Sequence, residues 1–190
     1  MKKSFEEYGD EKLYYLLCEE NENSDRAFAE LYARHSSRVF AYCRRFLGNK
    51  EEAQDVFQET FIRFHQSSSK DRVMTNVPAY ILRIARNLCV NSKRKEKSHL
   101  TFEDYMVGDD DESKSDKDEL LELVKTALEV LPDKYKEMFI LREYDGMSYA
   151  EIGEITDESV STVKVRIYRA KQKIREVLSP YINELEKFNK

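Results

Sequence analysis

Tryptophan is absent from this chain of 190 residues, and glycine, proline and cysteine are scarce, with 5, 3 and 3 residues respectively. So few glycines and prolines exclude a loop-rich or collagen-like chain and favour long helices. Cys18, Cys43 and Cys89 are isolated and odd in number, so they form neither a disulfide framework nor a C-x-x-C metal pair. This cysteine usage is typical of a reducing cytoplasm.

Long apolar runs and metal-ligand motifs are missing as well. No stretch is long enough to cross a membrane, and the opening residues, MKKSFEE, lack the apolar core of a signal peptide. The histidines, His35, His65 and His99, are scattered without metal-ligand spacing. We therefore expect no membrane insertion, no catalytic residue, no metal and no other cofactor.

Acidic residues outnumber basic ones, 37 to 32, and the formal net charge is −5. This balance excludes attraction of nucleic acid through overall charge, so any such affinity must come from local basic patches. Because 36% of the residues are charged and 12% are aromatic, we expect a soluble chain that can still build apolar cores.

The most informative stretch is the basic segment from Ser159 to Leu178. Its apolar residues recur at helical spacing, and six basic residues stand against one acidic residue, Glu176. Such a helix favours an anionic partner, because phosphates supply affinity and short polar side chains near a helix N-terminus can reach base edges. The residues that face away from the apolar stripe, or flank that outer face, are Ser161, Thr162, Lys164, Val165, Arg166, Arg169, Gln172 and Lys173.

The residues before this segment complete a helix-turn-helix pattern. Ser148 and Glu151 form a capping box that starts a short helix. Inside that helix, Gly153 is expected to allow the close approach of a second helix, and Asp157 is expected to adopt a left-handed or Asx-type turn. Ser159 is well placed to cap the basic helix. An ordinary helical hairpin with a solvated basic face is the alternative interpretation.

A second basic helix is predicted in the first half of the chain, starting at Val77-Pro78 with proline in the first turn. Two basic helices, one in each half, imply two separate contacts to nucleic acid. The first of them carries Arg83, Arg86, Lys93, Arg94, Lys95 and Lys97 against Glu96 alone.

Helical periodicity also precedes and follows these segments. It predicts a helix capped by Ser24 or Asp25, a break at Gly48-Asn49, and a helix from about Lys50 to His65. The tail beyond Pro180 is expected to extend the last helix by a turn or two. Together these segments predict an all-α fold.

The stretch from Thr101 to Glu119 is poor in apolar residues and strongly acidic, which predicts a flexible linker. We therefore expect two small helical domains, residues 1–99 and 119–190, joined by an acidic linker at 100–118. A solvated tether without a specific role is an equal alternative for this linker.

Four segments, taken in order, resemble the extracytoplasmic-function (ECF) sigma factors of the sigma-seventy family. They are Asp55–Phe61 (DVFQETF), Ile84–Asn87 (IARN), Leu131-Pro132 with Leu141–Ile152 (LREYDGMSYAEI), and Thr162–Ala170 (TVKVRIYRA). The resemblance covers about residues 10–180. It implies a sigma-two-like and a sigma-four-like domain that bind core RNA polymerase and direct it to promoter DNA. It also implies a non-enzymatic protein, controlled by an anti-sigma factor.

The resemblance assigns roles to residues that match the family's motifs. Val165 departs from the serine often found at its position, and a valine can touch a thymine methyl but cannot donate a hydrogen bond. The acidic run at Asp109–Glu112 resembles the segment that threads toward the polymerase active-site cleft. The resemblance implies core polymerase contacts at Asp55, Gln58, Glu59 and Phe61, minus-ten contacts at Tyr80, Arg83, Arg86, Asn87, Lys93 and Arg94, and minus-thirty-five contacts at Ser161, Thr162, Lys164, Val165, Arg166, Arg169 and Lys173.

Two other classes of protein compete with this interpretation. One is a helix-turn-helix transcription regulator that is not a polymerase subunit; a two-component-type regulator would need a receiver domain of alternating strands and helices, yet residues 1–100 show only helical patterns. A nuclease would need clustered metal ligands, whereas Asp109–Asp111 lie in a run without predicted structure.

Overall fold

The computed structural model describes residues 5–19, 21–69, 73–99, 123–124 and 126–188, and it contains helices and connecting turns only over these ranges. The fold is all-α, as the periodicity predicts. After a short 3₁₀ turn at Phe5–Glu7, the helices are α1 (Asp10–Leu17), α2 (Glu22–Leu47), α3 (Lys50–Gln66), α4 (Val77–His99), α5 (Asp133–Phe139), a π-helical turn (Ile140–Tyr144), α6 (Tyr149–Thr156) and α7 (Val160–Phe188).

The chain divides into two compact units, residues 1–93 and 94–190. The division falls inside α4, a few residues before the boundary expected at residue 99. The predicted acidic linker at 100–118 lies outside the described residues. The domain boundaries drawn from the sequence therefore stay a prediction.

Asparagine caps fix where the long helices of the first unit begin. The Asn21 side chain accepts a hydrogen bond from the Asn23 N–H at 2.8 Å, so the expectation that Ser24 or Asp25 caps α2 is wrong. The break at Gly48-Asn49 is confirmed. Gly48 ends α2 with φ of +84°, and the Asn49 side chain caps α3 through the Glu52 N–H at 2.9 Å.

The core of the first unit is formed by the inner faces of α1 to α4. Because those faces repeat at helical spacing, large side chains from each helix become fully buried, among them Tyr14, Leu31 and Phe46. Phe64 of α3 lies 6.2 Å from the Tyr14 ring and 6.1 Å from the Tyr80 ring, which ties α3 to both α1 and α4. These contacts fix the orientation of α3 and α4, the two helices that carry the candidate site residues of this unit.

The second unit packs the basic helix against the helices that precede it. Leu128, Leu131 and Ala170 form a buried cluster with partly buried Tyr135 and Ile174 packed against it. Val163 and Ile167 of α7 are also buried, so the predicted apolar stripe faces the core over this stretch. Consequently the basic side of α7 is directed away from the core.

A tight turn joins α6 to α7 and sets the helix-turn-helix geometry. The predicted capping box of Ser148 and Glu151 is present in both directions, and Asp157 adopts the left-handed conformation with φ of 58° and ψ of 44°. Gly153 does allow a close approach, but of the turn and not of a second helix. A Cβ on Gly153 would lie 2.7 Å from the backbone oxygen of Glu158.

The last helix continues through Pro180 to Phe188, which confirms the predicted extension of about two turns. A helix can pass through proline when the lost N–H···O bond is tolerated at an exposed position, and Pro180 is exposed. Within the described ranges, none of the helices combines the length and apolar character needed to span a bilayer.

Candidate nucleic-acid and polymerase interfaces

A network of hydroxyl groups caps the N-terminus of α7. Ser159 is the cap, as predicted, because its Oγ accepts a hydrogen bond from the Thr162 N–H at 3.1 Å. The hydroxyls of Ser161 and Thr162 each lie 2.8 Å from the same Ser159 oxygen. The first turn of the helix therefore presents clustered hydroxyls, which can exchange a local partner for a base or phosphate acceptor.

The basic candidates on α7 follow one another along its outer side. Lys164, Arg169 and Lys173 are exposed, and Val165 between them is 49% exposed. Arg166 differs, because it is half-buried and its Nη1 lies 2.7 Å from a carboxylate oxygen of Glu158. All seven predicted minus-thirty-five residues thus lie within the first four turns of one helix, and none is fully buried.

The basic residues of this helix lower the pKa of a neighbouring tyrosine, Tyr135. Arg169 Nη1 donates a hydrogen bond to the Tyr135 hydroxyl at 3.4 Å. That hydrogen bond, together with the charges of Arg169, Lys173 and Arg166, lowers the pKa of Tyr135 below its ordinary value. A lowered tyrosine pKa indicates a positive electrostatic potential at this surface, and phosphate binding requires such a potential.

Sequence reasoning missed aromatic residues that border this surface. Tyr168 is 64% exposed, and its hydroxyl accepts a hydrogen bond from the Gln172 amide at 3.0 Å. On α6, the Tyr149 ring has the Arg142 guanidinium 4.6 Å from its centre and the Lys164 ammonium 5.6 Å from its centre. A helical projection of the sequence places Tyr168 among basic residues and could have identified it as part of this surface. The sequence analysis used Tyr168 only as a member of the TVKVRIYRA motif.

In the first unit, the candidates on α4 meet the end of α3 around a surface cavity of about 360 Å³. Tyr80 and Asn87 both line this cavity, and the Tyr80 hydroxyl donates to the Ser67 hydroxyl at 2.8 Å. The Asn87 side-chain oxygen accepts a hydrogen bond from Arg86 at 3.2 Å. The full lining comprises Arg63, Gln66, Ser67, Tyr80, Ile84, Asn87 and Leu88.

The remaining candidates on α4 do not line this cavity. Arg83 and Arg94 are exposed, whereas Arg86 and Lys93 are half-buried. Arg63 and Gln66, which the sequence analysis did not single out for this site, do line it. They come from the end of α3, and only the packing of α3 against α4 brings them beside Asn87.

The candidate polymerase face lies on α3. Asp55 and Gln58 are exposed, and Glu59 forms an i to i+4 ion pair with Arg63 at 2.5 Å. Phe61 is only 4% exposed, so its side chain is not accessible for the polymerase contact that the resemblance implies. Its ring packs instead against Tyr32 at 4.7 Å and Phe57 at 5.3 Å.

An apolar groove of about 460 Å³ lies beside this face, between α2 and α3. Ile62, which is 50% exposed, and Tyr32, which is 40% exposed, form part of its lining. Gln58 lines the same groove, so a polar candidate and an apolar depression share one surface. That combination is typical of a protein–protein contact and not of a small-ligand site.

Two family models match the chain, one in each half. The sigma-70 region 2 model matches residues 31–99, and the sigma-70, region 4 model matches residues 121–174. The ECF RNA polymerase sigma factor SigW of Bacillus subtilis is 32% identical over 166 residues, which cover 80% of this chain and 89% of that protein. The chain belongs to the ECF sigma factors.

Other comparisons agree with this family. The RNA polymerase sigma-H factor of Pseudomonas aeruginosa is 30% identical over 84% of this chain and 90% of that protein. The structure of CnrH in complex with the cytosolic domain of CnrY matches with a TM-score of 0.70 and 25% identity, covering 90% of this chain and 97% of that chain.

A second solved structure shares the fold at lower identity. It is the sigma factor RpoE in complex with the anti-sigma factor NepR from Bartonella quintana, with a TM-score of 0.66 and 21% identity over 81% of this chain and 98% of that chain. In the present chain, the region 4 match contains α6 and the part of α7 up to residue 174, and the region 2 match contains α3 and α4. The candidate surfaces described above therefore lie within the matched regions.

Among the described residues, no three His, Cys, Asp or Glu side chains are arranged to hold a metal ion.

Proposed function

We propose that this sigma factor uses three surfaces for three contacts: the outer side of α7 for the minus-thirty-five element, the α3–α4 cavity for the minus-ten element, and the exposed face of α3 for core RNA polymerase. The observation that carries the proposal is the outer side of α7. Its core-facing stripe is buried, while Lys164, Arg169 and Lys173 extend from the opposite side.

The minus-thirty-five role of α7 follows from its shape and charge. A major groove admits one α-helix, and the N-terminal residues of a recognition helix contact base edges. The hydroxyls of Ser161 and Thr162 lie at that end, followed by Lys164 and Val165. Arg169 and Lys173, farther along the helix, then supply contacts to phosphates on the groove edge.

The minus-ten role of the α3–α4 cavity follows from what lines it. Asn87 offers an amide that can pair with a base edge, and Tyr80 offers an aromatic ring beside it. Arg63 adds a positive charge at the same cavity, where it can meet the phosphate of an unstacked nucleotide. A single flipped base, read on its edge and held by its backbone, fits this set of groups.

The polymerase role of α3 rests on Asp55 and Gln58, which are exposed, and on the apolar groove beside them. Glu59 contributes a further carboxylate, although its ion pair with Arg63 must open or be shared when a partner docks. Phe61 supports the groove from below as a packing residue. Ile62 takes the place of Phe61 as the exposed apolar contact of this proposal.

We further propose that the protein is cytoplasmic, does no chemistry of its own and is held inactive by an anti-sigma factor. Two similar solved structures are complexes: RpoE with the anti-sigma factor NepR, and CnrH with the cytosolic domain of CnrY. A transcription regulator acting apart from polymerase is not favoured, because both the region 2 and the region 4 models match this one chain.

Reconstitution with core RNA polymerase tests the proposal directly. The purified chain should co-elute with core enzyme and start RNA at defined sites when the holoenzyme transcribes a library of randomised promoters. The enriched promoters should share two elements at a fixed spacing. Failure to co-elute, or transcription without any enriched element, would refute the assignment of these surfaces.

The three surfaces can be separated in the same assay. Asp55→Ala with Gln58→Ala should reduce co-elution with core enzyme, because both side chains lie on the exposed face of α3. A matched control is Gln54→Ala with Glu51→Ala, which alters exposed residues of the same helix outside the predicted contact set. Equal losses in both double variants would contradict a specific contact at Asp55 and Gln58.

A further inference from the structure

One basic residue of the recognition helix is held by an acidic residue of the preceding turn. Arg166 Nη1 lies 2.7 Å from Glu158 Oε1, and the two side chains are only 19% and 29% exposed. By contrast, Lys164, Arg169 and Lys173 are exposed. A half-buried pair of this kind is less screened by salt than a surface pair, so it holds the guanidinium in one orientation.

Backbone contacts within the turn fix the position of the Glu158 main chain. The Glu158 N–H donates a hydrogen bond to the Gly153 carbonyl at 3.0 Å. The Glu158 carbonyl oxygen occupies the space that a Cβ of residue 153 would need, at 2.7 Å. With Asp157 in the left-handed conformation just before it, the turn holds the backbone of Glu158 at a position from which its carboxylate reaches Arg166.

An unpaired arginine and an arginine paired with a carboxylate interact differently with DNA. A free arginine is attracted to whichever phosphate is near, which adds affinity for any duplex. An arginine whose one Nη is held by a carboxylate keeps its other donors in a fixed plane, and such a plane can match the acceptors of one base, as in the bidentate contact to guanine O6 and N7. The carboxylate also cancels part of the charge and repels phosphates that approach from its side.

From this geometry we infer that Glu158 is a positioning residue that directs Arg166 to a base edge and keeps it from serving as a general phosphate contact. The inference rests on the proposed role of α7 at the minus-thirty-five element. It assigns to an acidic residue, which repels DNA by itself, a role in the specificity of promoter recognition.

The test compares holoenzymes made from the full chain and from Glu158→Gln. The probes are the promoter duplex selected by the unaltered holoenzyme and its single-base-pair variants in the minus-thirty-five element, with binding measured by competition. Glu158→Gln should lower discrimination about tenfold at one base pair, because a good bidentate contact discriminates by roughly that factor. Binding to unrelated duplex should rise, and the slope of log affinity against log salt should steepen by about one.

A matched control is Glu143→Gln. Glu143 also pairs with a basic residue of α7, Lys171, at 2.8 Å, but both partners are more exposed and Lys171 is not among the predicted base-facing residues. This variant removes the same charge and should leave the discrimination at every base pair unchanged. If both variants lowered discrimination equally, general electrostatics would explain the effect and the inference would be overturned.

The variant Arg166→Gln tests whether Glu158 acts through Arg166. It should lose discrimination at the same base pair as Glu158→Gln, and the double variant should lose no more than Arg166→Gln alone. Losses that add, or that fall on different base pairs, would overturn the inference. Thermal unfolding of each variant identifies a folding defect, which by itself does not move discrimination at a single base pair.

Failure of the proposed function is distinguishable from failure of this inference. If the unaltered holoenzyme selects no minus-thirty-five element, the proposed role of α7 is wrong and the inference falls with it. If it does select one, and Glu158→Gln selects the same element with the same discrimination, only the inference is overturned.

Discussion

The predicted base contact of Asn87 depends on the residues that surround its side chain. Its oxygen accepts a hydrogen bond from Arg86, and Asn87 lines the cavity that Tyr80 and Arg63 also line. Asn87→Ala should relax the preference at one minus-ten position by about tenfold, because the base then loses its paired donor and acceptor. Transcription by the reconstituted holoenzyme from a library randomised in the minus-ten element measures this preference.

The matched control for Asn87 is Asn91→Ala, one turn along α4. Asn91 is exposed on the same helix but does not line the cavity. Its removal should leave minus-ten preference unaltered. An unchanged preference in the Asn87 variant, or an equal change in both variants, would count against a base contact at Asn87.

Arg169 is the second residue whose effect can be predicted. It is exposed on α7, and the Tyr135 hydroxyl accepts its hydrogen bond at 3.4 Å, which limits where the guanidinium can lie. Arg169→Ala should reduce transcription from minus-thirty-five-dependent promoters about tenfold, while co-elution with core polymerase stays normal. Run-off transcription and gel filtration measure the two quantities separately.

Arg175→Ala provides the comparison for Arg169. Arg175 is an exposed arginine farther along the same helix and outside the predicted contact set. Its loss should cost much less transcription than the loss of Arg169. Equal transcription from the Arg169 variant and the unaltered chain would refute its role.

At the scale of single residues, family motifs did not always predict which side chains are exposed. Asn87 and Arg169 were identified from motifs and lie on accessible surfaces. The motif that contains Phe61 implies a polymerase contact for it, yet Phe61 is buried in the aromatic cluster between α2 and α3. Glu158 was not identified at all, because an ion pair to Arg166 across a left-handed turn is set by backbone geometry that a helical projection does not contain.

At the scale of elements, the turn between α6 and α7 depends on one missing Cβ. Helix propensity favours alanine over glycine by about 1 kcal/mol, so Gly153→Ala would stabilise an isolated helix. Here the new Cβ would lie 2.7 Å from the Glu158 carbonyl oxygen, and backbone held by its own hydrogen bond cannot yield easily. Overpacking costs about 1–3 kcal/mol.

We therefore expect Gly153→Ala to lower the free energy of unfolding by up to about 2 kcal/mol, the balance of overpacking against helix propensity. Urea denaturation followed by circular dichroism measures it. Gly9→Ala is the control, because a Cβ there meets nothing within 4 Å and its φ is −68°. A stabilised Gly153 variant would mean that the turn relaxes without cost.

Some structural elements are determined by residues close together in the sequence, and others are determined by tertiary packing. The capping box at Ser148, the break at Gly48 and the left-handed Asp157 were predicted, because each depends on residues a few positions apart. The π-helical turn at Ile140–Tyr144 was not, because its i to i+5 bonding has no local signature. Ile140 and Leu141 are both fully buried there, so tertiary packing is the cause that the sequence pattern could not supply.

At the scale of the whole molecule, the distribution of charge matters more than its sum. The chain carries a net charge of −5, yet α7 carries an excess of cations along its outer side. An acidic chain with a basic recognition helix disfavours unspecific association with DNA and concentrates attraction at one surface. The two family matches, one in each half, extend this arrangement to two sites on one promoter.

Salt dependence tests this distribution quantitatively. From the sequence, five or six phosphate contacts on the last helix predict a slope of log affinity against log salt near −5. In the structure, Arg166 pairs with Glu158 and Lys171 with Glu143, so two of the six cations are already neutralised. Arg175 lies outside the predicted contact set. The other three, Lys164, Arg169 and Lys173, have no carboxylate partner among the described residues, and three contacts predict a slope nearer to about −3.

The difference between a slope of about −5 and one of about −3 separates the cations that are present in the sequence from those that are available to DNA. Titrating the full chain with a duplex containing the selected minus-thirty-five element, at several salt concentrations, gives the slope. Lys173→Gln should make it shallower by about one, since one phosphate contact is lost. Lys12→Gln, an exposed lysine of α1, should leave the slope unchanged, because it lies outside every predicted DNA contact. If both lysine variants changed the slope equally, attraction would come from the charge of the whole chain, and α7 would have no special part in binding.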